Sequence, residues 1–169
     1  MKKLIFSLMA VGTLFASCSK DAVVEKLIDG LTDSNKIVGV WELSEFNVDA
    51  EAAGTYTNLA EDALEKLSEE GCAIVTFEFK EDAELVTENA VNYLDISAGL
   101  TGLIVPCPTE KDTETTTYTY IDGVIKFKDK NGDDISANAS IDGDVMTVDA
   151  EGLDLPNFNV KGELIFNKK

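Results

Sequence analysis

The stretch that decides the fold runs from Thr116 to Val148 and reads TTYTYIDGVIKFKDKNGDDISANASIDGDVMTV. Thr116, Tyr118 and Tyr120 alternate with Thr117, Thr119 and Ile121. Asp122-Gly123 then turns the chain into Ile125 and Phe127, set against Lys126 and Lys128. Asn131-Gly132 turns it into Ile135, Ala137, Ala139 and Ile141, set against Ser136, Asn138 and Ser140. Asp142-Gly143 leads to Met146 and Val148. A period of two puts one set of side chains on each face of a strand. Asp-Gly and Asn-Gly between such runs are the strongest short-range hairpin signals.

The pattern extends in both directions. Downstream, Phe158, Val160, Gly162, Leu164 and Phe166 alternate with Asn159, Lys161 and Glu163. Upstream, Val75, Phe77 and Phe79 alternate with Thr76, Glu78 and Lys80, and Gly39, Trp41 and Leu43 share a face. The count is about eight strands, near 38–46, 73–80, 84–88, 113–121, 124–128, 134–141, 145–149 and 159–166. Short sequential turns predict an antiparallel meander. One apolar face per strand suits a closed barrel, which also removes exposed edges. Between the first two strands, Leu59, Ala63, Leu64 and Leu67 form a helical stripe. Asn58 is a candidate N-cap and Gly71 a stop, predicting a helix near 59–70. Residues 89–105 fit neither period. Gly99 and Gly102 argue against a long helix there, and Pro106-Cys107-Pro108 forces a break.

The N-terminus has a different character. Lys2-Lys3 precede an apolar run from Leu4 to Leu14, closed by Phe15-Ala16-Ser17-Cys18. This reads as a secretion signal over residues 1–17, too short for a spanning helix. Its ending resembles a bacterial lipobox. That resemblance implies cleavage before Cys18, which would carry acyl chains and anchor the protein in the outer membrane, on its periplasmic or cell-surface side. Residues 18–36 then form a lipidated tether and a short helix. Asp21 is its candidate cap, and Val23, Val24, Leu27, Ile28 and Leu31 share one face. Residues 37–169 form the barrel domain.

Composition narrows the chemistry. The 169 residues carry 14 Lys+Arg and 32 Asp+Glu, for a net charge of −18. Removing residues 1–17 takes away two lysines and no acid, giving 12 − 32 = −20. Such a field repels nucleic acid. Histidine is absent, which excludes Ser-His and Cys-His catalysis and imidazole metal sites. Arginine is absent too, and with it the bidentate clamp for phosphate or carboxylate. The chain therefore reads as a non-enzyme without a cofactor. Asp129-x-Asn131-x-Asp133 superficially resembles the start of a calcium loop. Asp134 and Ser140 occupy the places where an EF-hand needs glycine and a bidentate acid. A hairpin turn with solvated acids fits better, so no metal is expected. In an exported compartment Cys72 and Cys107 can form a disulfide or remain two buried thiols.

Gly39-Val40-Trp41 at the start of the first strand resembles the Gly-x-Trp signature of lipocalins, whose tryptophan plugs the closed end of an eight-stranded barrel. With the lipobox, the short tether and Thr76-Phe77-Glu78-Phe79, the layout resembles the lipocalin-like domain lipoproteins of Bacteroidetes. Lipocalins place an arginine from the last strand over the tryptophan; here Lys161, Lys168 or Lys169 would stand in. The resemblance implies a small apolar or amphipathic ligand at the open end, with the helix near 59–70 at the mouth. Alternation places Phe46, Tyr118, Tyr120 and Phe158 inside as candidate lining residues. The alternative is a filled barrel acting as a structural or interaction subunit of an envelope complex.

Stable anchoring takes more than one acyl chain, because a single chain binds a bilayer only marginally. Expressed in its host, the wild type is expected to partition into detergent and to label with palmitate, and Cys18→Ala to do neither. Equal labelling of both proteins would remove the lipobox reading.

Overall fold

The computed structural model describes residues 35–48, 55–100, 102–153 and 161–169. The predicted N-terminal helix, Cys18 and Phe158 lie outside those residues. The chain is mainly β. Eight strands close into an antiparallel barrel: β1 (Gly39–Val48), β2 (Val75–Phe79), β3 (Glu84–Asn89), β6 (Asp112–Ile121), β7 (Val124–Lys128), β8 (Asp134–Asp142), β9 (Val145–Asp149) and β10 (Gly162–Lys168). Each pairs with the next, and β10 returns to β1. Helix α1 (Thr55–Glu69) fills the connection between β1 and β2, and residues 35–37 form a helical turn ahead of β1. The segment with no clear period holds a 3-10 turn (Val91–Tyr93) and a small separate hairpin, β4 (Ser97–Gly99) and β5 (Gly102–Ile104).

The strand ends define two poles. At the closed pole lie the start of β1 and the short turns β2–β3, β6–β7 and β8–β9. Asp122 and Gly123 both take positive φ in the β6–β7 turn, as a two-residue type I′ hairpin requires. The mouth gathers everything longer: α1, the β4–β5 hairpin, the β7–β8 turn at 129–133 and a 3-10 turn at Ala150–Gly152.

Trp41 closes the lower pole. It is fully buried, and its indole Nε1 donates to the Ile37 carbonyl at 2.6 Å. The Lys168 ammonium sits 5.0 Å from the ring centroid, a cation–π contact made by the last strand. Lys168 also explains Gly39. At Gly39 φ is +138°, and a Cβ there would stand 2.5 Å from Lys168 Cε. A side chain would strain the backbone and displace the lysine. The β1–β10 ladder pairs Trp41 with Lys168, so both groups reach the pole in register.

Beside this lock β1 carries a bulge. The register shifts between Leu43 and Glu45, and the Ser44 hydroxyl donates to the Ile165 carbonyl at 3.0 Å. The extra residue changes which parity faces inward. Trp41 and Leu43 are buried before it, and Phe46 after it. Helix α1 packs on β1 and buries Ala63, Leu64 and Leu67. It begins earlier than Asn58 and ends as expected at Gly71. Gly71, at φ +74°, donates to Ser68 while Cys72 donates to Leu67 at 2.8 Å, the paired bonds of a Schellman stop.

Truncating a fully buried tryptophan leaves a large cavity. Trp41→Ala is expected to cost about 3–5 kcal/mol, measured as a lower denaturant midpoint at unchanged slope. A loss below about 1 kcal/mol would contradict its role as the plug.

Candidate ligand cavity at the barrel mouth

The barrel is filled from the closed pole upward. Phe77 stacks on Phe166 with centroids 5.0 Å apart, and Phe79 meets Tyr118 edge-on at 4.8 Å. Met146, Val148, Leu164 and Ile125 complete this layer without exposure. No buried side-chain polar atom among the described residues lacks a partner.

Nearer the mouth the inward rows change chemistry. On β3, Leu85 gives way to Thr87 and Asn89. On β6, the row of Tyr120 and Tyr118 continues through Thr116 to Glu114 and Asp112. On β7, Ile125 and Phe127 are followed by Asp129. These positions enclose a cavity of about 300 Å³ on the β3–β6–β7–β8 side of the mouth. Its floor is apolar: Val75, Phe77, Phe127, Ile135 and Leu153. Its rim is polar, with Glu114, Asp112, Asp129 and Glu88 against the single lysine Lys130.

Three of the four carboxylates already have partners. Asp112 accepts from the Tyr93 hydroxyl at 2.9 Å and from Asn92 Nδ2 at 3.4 Å. That hydrogen bond raises the Tyr93 pKa above its ordinary value, because ionising the phenol would set two negative charges together. Glu88 pairs with Lys111 at 2.7 Å. Asp129 loses some solvent, which opposes ionisation. The backbone N–H of Asp133 at 2.8 Å and both N–H groups of Asn131 at 2.9 Å outweigh that and lower its pKa. Asp129, Asn131 and Asp133 are thus spent on closing the hairpin turn. The Glu114 carboxylate has no hydrogen bond or ion pair among the described residues.

The described residues singled out from sequence as plug or lining sit elsewhere. Gly39 and Trp41 form the closed pole. Phe46 is buried in the core. Tyr118 and Tyr120 point inward as expected, but their hydroxyls donate to the Lys80 carbonyl at 3.1 Å and the Ala139 carbonyl at 3.3 Å. Burial, reinforced by the Asp82 charge, raises the Tyr118 pKa. None of these residues lines the cavity. The lining comes from the mouth-end members of the same inward rows, and the break from apolar to polar within each row was the available signal.

Cys72 and Cys107 are joined in a disulfide with Cα atoms 5.6 Å apart. The bridge ties the stop of α1 to the connection before β6, at the mouth end of neighbouring strands. With Glu70 these cysteines form the one group of potential metal ligands among the described residues. Sulfurs bonded to each other offer no thiolate to an ion. No described helix is long and apolar enough to cross a membrane. No protein-family model, curated protein or solved structure matches the chain.

The bridged cysteines are 35 positions apart. Replacing both by serine is expected to lower stability by up to about 4 kcal/mol on the loop-entropy model. The check is a urea melt of the oxidised wild type beside the double variant. Coincident midpoints would mean that the bridge adds nothing to the fold.

Proposed function

We propose that this chain is a lipid-anchored envelope protein whose lipocalin-like barrel binds one small molecule at its open end, without catalysis. The observation that carries the reading is the cavity. The interior is packed with aromatic and aliphatic side chains up to Phe77 and Phe127, then opens into about 300 Å³ of space. A barrel of eight strands has room for side chains or for one small ligand. Here it divides that room between the two poles. The volume is at the low end for small-molecule pockets, and an apolar floor beneath a few convergent polar groups is their usual chemistry. The anchor at Cys18 is the inference from the N-terminal sequence.

A second reading, an interaction subunit of an envelope complex, draws on the β4–β5 hairpin. Leu100 is fully exposed at its turn, and Ile96 and Ile104 beside it are 40% and 53% exposed. Side chains of this kind gain by being covered.

The two readings separate on a neutral fluorophore, N-phenyl-1-naphthylamine. Under the cavity reading its emission rises saturably with one site. Thr87→Phe, which pushes a ring into the cavity, weakens binding at least about tenfold. Ser136→Ala on the outer face leaves binding unchanged. Non-saturable emission, or binding indifferent to Thr87→Phe, would favour the interaction subunit.

A further inference from the structure

We propose that the mouth cavity selects an organic cation, a small amine whose apolar body covers the floor and whose ammonium meets Glu114. This rests on the cavity reading and names its ligand class. Strand alternation puts Glu114 on the inward row of β6 with Tyr118 and Tyr120. The Glu114 side chain is only partly exposed and lines the cavity together with Phe127, so a ligand seated there would bring a charged or polar group of its own against it. The other rim carboxylates find partners in Tyr93 and Asn92, in Lys111 and in the β7–β8 turn. The Glu114 carboxylate finds none among the described residues.

The sign of the missing group follows. Four carboxylates and one lysine line the cavity, so an anionic head such as a fatty-acid carboxylate would enter against like charge. An ammonium would donate a charge-assisted hydrogen bond to the Glu114 carboxylate. The net charge of −18 concentrates cations around the whole molecule. The floor sets the other half of specificity. Phe77 and Phe127 offer aromatic faces, and Val75, Ile135 and Leu153 offer aliphatic ones. Inorganic cations would leave that surface uncovered. The ligand is thus amphipathic, with one charge.

Three probes of nearly one shape test this: 2-phenylethylammonium, 2-phenylethanol and phenylacetate, titrated calorimetrically into the full chain. The ammonium is expected to bind about tenfold tighter than the alcohol, and phenylacetate more weakly than either. Glu114→Gln keeps the shape of the side chain and should reduce the ammonium to the affinity of the alcohol without changing the alcohol. Glu114→Lys should reverse the order and favour phenylacetate. An unchanged denaturation midpoint confirms that each variant is folded. Equal binding of all three probes to the wild type would overturn cation selection and leave the cavity reading standing. So would equal loss of all three in Glu114→Gln. Binding of none of the three, with saturable binding of the neutral fluorophore, would also overturn the amine. Failure of the fluorophore as well would remove the cavity reading itself.

Discussion

The structure depends on Trp41 being held from three sides at one pole. The backbone of Ile37 accepts its indole proton, Lys168 lies over its ring, and Gly39 leaves the space that Lys168 crosses. These contacts join the entry to the barrel, its first strand and its last. β1 and β10 are the two strands that a meander leaves unpaired, so the same contacts mark where the sheet becomes a barrel. A lysine can do this because the site asks for a positive charge on a long apolar stem. The planar fork of an arginine is not required.

Closing one pole this firmly leaves the other free to vary. The mouth carries helix α1, the β4–β5 hairpin and the longer turns, and the 72–107 disulfide fastens two of these pieces together. Helix α1 covers the β1 side with Ala63, Leu64 and Leu67, and the cavity is what remains on the side of β3, β6, β7 and β8. The bulge at Ser44 belongs to the same division. By changing the parity of β1 it turns Phe46 inward on the strand against which the helix packs.

Most of the fold was legible because inward and outward residues differ so sharply. All eight barrel strands stand within a few residues of their expected positions, and the Asp-Gly and Asn-Gly turns set their order. The helix between the first two strands was legible from Leu64, Leu67 and Gly71, though not its first turn. The region 89–105 was not, because a hairpin of two three-residue strands, with Leu100 fully exposed and Leu103 half-buried against the core, is too short to show a period. The site was less legible than the fold. Large aromatics drew attention to Tyr118 and Tyr120, yet a tyrosine pointing into a barrel is as well explained by a core that satisfies its hydroxyl, as Lys80 and Ala139 do here. Alternation says which face a residue occupies. It does not say how far along the barrel axis the packing ends.

That distance is set by side-chain volume and polarity together. At the closed pole the inward positions hold tryptophan, phenylalanine, tyrosine and methionine, which meet across the barrel and exclude water. Toward the mouth the rows of β3, β6 and β7 turn to threonine, asparagine, aspartate and glutamate, which are too short or too polar to pack against one another. A filled barrel would need that apolar row to continue. Thr116, Glu114 and Asp112 on β6 interrupt it, as do Thr87 and Asn89 on β3, on adjacent paired strands. Paired strands changing together produce a space with a defined wall, whereas one polar residue alone would produce a solvated dent. The strand rows thus build a plug and a cavity from a single rule of alternation, and the residues at which the β3 and β6 rows turn polar fix where the packing ends.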